Sequence, residues 1–286
     1  MELKELGQTG VRLPEIGSGT WEYEGGVEPL RKGVDSGAFL IDTAEGYATE
    51  EIVGRAIKNI RQCVFLATKV SPQHLRRSDL LRAADKSLQL MRTDHIDLYQ
   101  IHYPNYAVPI GETMAAMEEL VDMGKVRFIG VSNFSVADLK NAQASLTKSR
   151  IVSNQVLYNL VDRSIEFGLL HYCQQNHITV IAHSPLARGI EHIRRKDPSD
   201  TLSRVAAATG KTEAQVILNW CISKEGVIAI PKANSIEHTV ENCNASGWRL
   251  SPEQRRLLEE GIKSRGRIEA ALRQAARCLR NRFFWN

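Results

Sequence analysis

Short apolar runs alternate with longer amphipathic stretches along almost the whole chain. The runs Glu15–Ser18, Phe39–Asp42, Val64–Val70, Ile96–His102, Phe128–Ser132, Ser153–Val156, Thr179–His183 and Val227–Ile230 predict eight strands. Helical patterns fill the gaps near Glu28–Ser36, Glu50–Asn59, Asp79–Leu90, Ile110–Met123, Val136–Ala144, Phe167–Gln175, Thr212–Ser223 and Ile236–Cys243. A β-hairpin is expected ahead of them, with Leu3–Leu6 and Val11–Leu13 joined by a turn at Gly7–Gly10. Asp42, Lys69, His102 and Asn133 hold equivalent places, 27, 33 and 31 residues apart. That is close to the ~30 residues of one strand–loop–helix unit. A repeat of this kind without an antiparallel break predicts an α/β fold, a single (β/α)8 barrel of TIM type. The competing open, doubly wound sheet would carry Gly-x-Gly-x-x-Gly after its first strand. Gly17-Ser18-Gly19-Thr20-Trp21 lacks the third glycine and no helix follows it.

The bulk numbers agree with one globular unit. Of 286 residues, 43% are apolar and 24% charged, and barrels of this class typically take about 250 residues. The five cysteines are scattered without a Cys-x-x-Cys pair, which points to a reduced, cytoplasmic compartment. No apolar leader or membrane-spanning run is visible. A net charge of +4 is too small to argue for nucleic-acid binding. Two basic clusters stand out, Arg188 with Arg194, Arg195 and Lys196, and six arginines between Arg265 and Arg282. The bland reading of either is a solvated face.

Candidate chemistry gathers at the strand ends. In a closed parallel barrel all C-terminal strand ends open onto one rim, so Asp42, Tyr47, Lys69 and His102 are predicted to meet. A lysine ammonium ~4 Å from a phenolic oxygen, at an effective dielectric of ~20, stabilises the phenolate by about 4 kcal/mol, or about three pKa units. Lys69 is thus expected to make Tyr47 a usable proton donor, with Asp42 orienting the ammonium and His102 donating to a substrate carbonyl. Taken singly, Asp42 could cap a helix, Tyr47 could be a rim aromatic, Lys69 could be exposed and His102 a core residue. Their joint placement argues against those readings. No metal-ligand spacing, nucleophile elbow or Walker loop is present.

At these residues the chain resembles the aldo-keto reductases, through Ile41-Asp42-Thr43-Ala44-x-x-Tyr47, Thr68-Lys69-Val70 and Asp97-Leu98-Tyr99-Gln100-Ile101-His102. The likeness extends from Gly7 to about Leu258, through Gly19-Thr20-Trp21, Gly130-Val131-Ser132-Asn133-Phe134, Asn154-Gln155, Ser184-Pro185-Leu186, Ile230-Pro231-Lys232 and Glu241-Asn242. It implies a barrel that reduces aldehydes and ketones with NADPH, Tyr47 being the general acid, Asp42 and Lys69 its tuning pair, and His102 the substrate orienter. Ser132, Asn133 and Gln155 are then expected at the nicotinamide carboxamide, with Asp42 also facing the ribose. The resemblance further implies pyrophosphate contacts from Ser184 and Leu186, a 2′-phosphate contact from Lys232, and adenine contacts from Glu241 and Asn242. Gly19, Thr20 and Trp21 are included among the expected cofactor contacts. Asn234 and Ser235 begin a predicted helix whose free N–H groups would favour an anion.

Three positions depart from the family pattern. His183 stands where an aromatic ring usually stacks on the nicotinamide, Tyr103 where related enzymes often have Trp, and His238 where many NADP-preferring members place Arg. The expected cofactor is NADP(H), with NAD(H) also acceptable, and no metal. Trp21, Tyr23, Tyr103, Tyr106 and Phe134 are the expected substrate-pocket residues, an aromatic mouth suited to moderately apolar carbonyls. Trp220 and Trp248 read as core.

Residues 1–263 are expected to form the barrel and 264–286 a basic amphipathic tail, with Ile268, Leu272, Ala275, Ala276 and Leu279 at helical spacing before Phe283-Phe284-Trp285. The expected partner is a small-molecule carbonyl substrate, without nucleic acid or a membrane span, in a monomer or small homo-oligomer. Two rival functions share the scaffold. One is a cofactor-binding regulatory subunit, like the potassium-channel β subunits that resemble these enzymes, and the other a barrel isomerase or lyase. Intact Asp42, Tyr47, Lys69 and His102 argue against both.

Overall fold

The computed structural model describes residues 1–266. A two-stranded antiparallel hairpin, β1 (Leu3–Glu5) and β2 (Arg12–Pro14), precedes eight parallel strands: β3 (Ser18–Gly19), β4 (Leu40–Asp42), β5 (Phe65–Val70), β6 (Ile96–Ile101), β7 (Val126–Ser132), β8 (Ile151–Leu157), β9 (Thr179–His183) and β10 (Val227–Ala229). Each is hydrogen-bonded to the next in chain order from β3 to β10. The ring closes because Ile16 bridges Ala229 in parallel, with Gly17 N–H donating to Ala229 O at 2.8 Å and Ala229 N–H to Glu15 O at 2.9 Å. Gly19 is required at this seam, since a Cβ there would lie 2.6 Å from Ile230 O. The predicted eight strands and hairpin are therefore present, within a few residues of their expected limits.

Outside the barrel lie α1 (Glu28–Asp35), α2 (Glu50–Ile57), α3 (Arg77–Met91), α4 (Ile110–Asp122), α5 (Val136–Ala144), α6 (Leu169–Gln175), α7 (Ile190–Arg194), α8 (Thr201–Thr209), α9 (Glu213–Ile222), α10 (Ile236–Cys243) and α11 (Pro252–Gly261). Local signals fix several starts. Ser135 with Asp138, Thr212 with Gln215 and Ser251 with Gln254 form reciprocal capping boxes for α5, α9 and α11. Three helices, α7, α8 and α11, were not expected from the apolar pattern.

Strand phase decides what faces the barrel axis. Leu6, Leu13, Leu40, Phe65, Ala67, Leu98, Ile181, Ile228 and Ile230 form an inner cluster, whereas Ile41, Leu66, Tyr99, Ile101, Val180 and Ala182 belong to the larger layer between sheet and helices. Side chains alternate across a strand, so Asp42 follows Leu40 inward, Lys69 follows Ala67, His102 follows Leu98 and Gln100, and His183 follows Ile181. The hairpin supplies Leu6 and Leu13 to the inner cluster, and the polar inward positions sit at the other, C-terminal end of the strands. Gly130 makes room inside, because a Cβ there would meet Ser153 Oγ at 2.5 Å and Gln100 Cγ at 2.9 Å. Trp220 is fully buried, as expected of a core residue, whereas Trp248 is half-buried and packs against the edge of the outer layer. Among the described residues no helix is long and apolar enough to cross a membrane. The tail helix expected within 264–286 lies outside the described residues from position 267 onward.

Candidate active site

Four strand-end side chains converge at the C-terminal face of the barrel. Asp42 and Lys69 are 2% and 0% exposed, and Lys69 Nζ donates to Asp42 Oδ1 at 2.6 Å and to Thr43 O at 2.8 Å. Asp42 Oδ2 accepts from Gln155 Nε2 at 2.8 Å and Gln100 Nε2 at 3.1 Å. The buried carboxylate is thus fully engaged. Above it, the Lys69 ammonium lies 4.8 Å from the centroid of the Tyr47 ring. Tyr47 is carried by a single 3-10 turn, Glu45–Tyr47, which places its hydroxyl 3.4 Å from His102 Nε2. The two rings meet edge to face, and His102 stacks on Tyr103 at 5.1 Å between centroids.

Burial holds the Tyr47 phenol above its usual value, and Lys69, which pulls it down, offsets only part of that effect. The three-unit depression expected from the lysine alone is therefore not the outcome in this enclosed site. The phenol stays protonated, as a donor must. For Lys69, burial favours the neutral amine, but attraction to Asp42 and then to Tyr47 outweighs it and raises the pKa. His102 is pushed down to about 3 by burial, then by Lys69 and His183, so its imidazole is neutral at physiological pH. A neutral imidazole, an acid-competent phenol and a locked ammonium can together bind a carbonyl oxygen and deliver a proton to it.

These groups open onto a cavity of about 710 Å³ lined by Gly19, Thr20, Trp21, Asp42, Tyr47, His102, Tyr103, Ser132, Asn133, Gln155, His183, Ser184, Leu186 and Lys232, with Glu22, Ser71, Gln73 and Arg188. Ser132 Oγ donates to Gln155 O at 2.9 Å, and Asn133 Nδ2 donates to Ser132 Oγ at 2.9 Å and His102 O at 3.1 Å. The side-chain amide nitrogen of Asn133 is used in those contacts, and that of Gln155 in its bond to Asp42. Among the described residues, no hydrogen bond occupies either amide oxygen. The pair therefore suits a ligand that brings N–H donors, as a carboxamide does. His183 Nδ1 lies 3.3 Å from Ser184 Oγ. Lys232 is exposed, with Nζ donating to the Glu22 carbonyl at 2.9 Å.

Other expected site residues lie outside that lining. Asn234 Oδ1 accepts from Glu24 N–H at 3.2 Å, and Ser235 caps α10 by accepting from His238 N–H at 3.2 Å. His238 is exposed, Glu241 is half-buried, and Asn242 lines a smaller pocket that also includes Gly19 and Pro231. The aromatic mouth differs from the expected one. Tyr23 is 7% exposed with its hydroxyl donating to Gly26 O at 2.8 Å, and Phe134 is 1% exposed in the outer core. Tyr106 is exposed beyond the cavity, its hydroxyl 3.3 Å from the Asp138 carboxylate. Sequence position next to a motif did not reveal the direction of those side chains. Only Trp21 and Tyr103 of the five line the cavity.

Several residues escaped the sequence reading. Gln100 is fully buried and supports Asp42, and its signal was a polar residue in the inward phase of an apolar strand. Arg188, read only as part of a basic run, lies 4.4 Å over the Trp21 ring. Among the described residues no group of three His, Cys, Asp or Glu side chains is arranged to hold a metal.

Residues 15–263 match the profile of the aldo/keto reductase family. The chain is 38% identical over 260 residues to methylglyoxal reductase of Escherichia coli, covering 87% of this chain and 91% of that protein. It is 34% identical over 250 residues to glyoxal reductase of Bacillus subtilis, covering 85% and 87%. An aldo-keto reductase from Klebsiella pneumoniae, crystallised in complex with NADPH, superposes with a TM-score of 0.85 at 39% identity, covering 94% of this chain and 99% of that one.

Proposed function

This chain belongs to the aldo/keto reductase family, and on that premise we propose that it reduces small aldehydes or ketones to alcohols with NADPH, Tyr47 being the proton donor. The observation that carries the reading is the Tyr47 hydroxyl poised 3.4 Å from His102 above the buried Lys69–Asp42 pair. In the proposed reaction the substrate oxygen sits between Tyr47 and His102. When bound, the nicotinamide supplies a hydride to the carbonyl carbon. Tyr47 delivers its proton to the developing alkoxide, and Lys69 stabilises the phenolate left behind. Asp42 holds the ammonium in place through an oxygen that is itself fixed by Gln100 and Gln155.

The amide oxygens of Asn133 and Gln155, beside Ser132, would take the carboxamide of the nicotinamide, with His183 of the same cavity wall available to the ring. Ser184 and Leu186 take the pyrophosphate side with Gly19, Thr20 and Trp21. Lys232 reads the 2′-phosphate, for which it would exchange the neutral Glu22 carbonyl, while Asn234, Ser235, His238, Glu241 and Asn242 form the adenosine end. NADPH binding by the Klebsiella pneumoniae relative supports this assignment. Substrates of the 2-oxoaldehyde class are favoured by the names of two relatives and by a mouth in which Ser71, Gln73 and Glu22 stand beside Trp21 and Tyr103.

Loss of nicotinamide absorbance with NADPH or NADH across a panel of 2-oxoaldehydes, aromatic aldehydes and open-chain sugars tests the proposal. Turnover that is faster with NADPH and fastest with 2-oxoaldehydes is expected. Tight NADPH binding without turnover of any carbonyl would replace it with a regulatory role.

A further inference from the structure

The proposed chemistry, on which this inference rests, requires the Tyr47 hydroxyl to hold a fixed place relative to Lys69 and His102. Its carrier is slight. The turn Glu45–Tyr47 has one backbone hydrogen bond of its own to Tyr47, from Tyr47 N–H to Ala44 O at 3.0 Å, and Ala48 follows in the left-handed region at φ 57°. What fixes it to the barrel is the side chain of Glu45. Glu45 Oε2 accepts from Ser71 N–H at 2.8 Å, and Oε1 lies 2.6 Å from His74 Nδ1. Ser71 follows Lys69 by two residues, and Glu45 precedes Tyr47 by two. The carboxylate therefore joins the turn bearing the phenol to the strand end bearing the ammonium.

We propose that Glu45, braced by His74, is a positioning residue that sets the separation of Tyr47 and Lys69. Glu45 does not line the cavity, whereas Gly46, Tyr47 and Ser71 do, so it acts on the reacting atoms only through the tyrosine. The brace continues sideways, because Asn105 Nδ2 donates to Pro72 O at 2.8 Å and links this loop to the one that follows His102. The Glu45 side chain is 12% exposed and that of His74 45%, so solvent competes more strongly at the His74 end. Ser71 N–H is the stronger arm. Without the carboxylate the phenol moves relative to Lys69, and proton delivery slows while the cofactor contacts stay intact.

Steady-state kinetics of the full chain with NADPH and methylglyoxal, in H2O and D2O, tests this in Glu45→Ala, Glu45→Gln and His74→Ala. Glu45→Ala is expected to lower kcat about tenfold while KM and the NADPH dissociation constant change by less than about twofold. Its solvent isotope effect should rise and its basic pH limb move upward. Glu45→Gln, which keeps an oxygen for Ser71 N–H, should recover most of kcat, and His74→Ala should lose less than about threefold. An unchanged kcat and isotope effect in Glu45→Ala would overturn the proposal. So would a loss of kcat that merely tracks lost thermal stability and NADPH affinity. If Glu45→Ala does not fold, Glu45→Met, which keeps the bulk of the side chain but offers Ser71 N–H no oxygen, takes its place, and an unchanged kcat and isotope effect in that variant overturns the proposal. No turnover by the unaltered protein would instead remove the functional reading beneath it.

Discussion

Lys69 and Asp42 face each other almost without solvent, so removing one charge strands the other. Lys69→Met or Asp42→Asn is expected to cost about 3–5 kcal/mol of stability in urea unfolding, and the double variant less than the sum of the two. Additive losses would show that the charges do not depend on each other. At His102 the prediction concerns pH. The unfolded chain takes up a proton near the ordinary value of 6.5, which the folded protein refuses until about pH 3. His102 therefore lowers stability progressively as pH falls through that window and has no such effect above it. Carbonyl reduction should show no break near pH 6.5 arising from this imidazole. A break there that vanishes in His102→Gln would contradict the neutral assignment. The sequence made Asp42, Tyr47, Lys69 and His102 readable because strand ends of a barrel share one rim. It did not show that burial would outweigh Lys69 at the phenol, since desolvation depends on the whole surround of a side chain.

Among the elements, α4 carries a carboxylate that organises the approach to β8. Glu118 accepts from the N–H groups of Thr147, Lys148 and Ser149 and from the Thr147 hydroxyl, contacts that hold its pKa down to about 2 against the cost of burial. The stabilisation is present above about pH 4.5 and is lost as pH falls towards 2. Glu118→Gln should cost about 2 kcal/mol at neutral pH, with the deficit shrinking below pH 4, as followed by chemical denaturation. A deficit that stays constant down to pH 2 would exclude the charge as its source. The eight strands were legible because buried parallel strands are short apolar runs bounded by polar loops. Helices α7, α8 and α11 were not: α7 has five residues, and α8 and α11 follow the loops after β9 and β10 where one helix per strand was expected. The starts of α8 and α11 rest on local polar contacts that an apolar pattern does not register, Asp197 accepting from Thr201 N–H and Leu202 N–H ahead of α8 and Ser251 pairing with Gln254 at α11.

On the scale of the whole molecule, the barrel and the arginine-rich tail are proposed as separate units, with a firm limit on where to divide them. Lys263 N–H donates to Lys196 O, Arg163 reaches Ser264 Oγ, and Arg265 pairs with Asp162, so the chain is tied to the barrel beyond position 263. Truncation after Gly266 should leave thermal unfolding within about 2 °C of the full chain and NADPH binding intact, whereas removal from Ser264 onward should lower the midpoint further. A large loss on the shorter truncation would make the tail part of the barrel's stability. Barrel architecture and family were both legible from spacing and motif order, but the mouth was not, because neighbouring side chains at a strand end point to opposite faces. The role of Tyr47 as proton donor is tested most directly by carbonyl reduction in Tyr47→Phe, measured beside an NADPH titration. Reduction is expected to fall at least about a hundredfold while NADPH affinity stays within about twofold, because the proton donor is lost and the ring is kept. Full reduction by that variant would contradict that role.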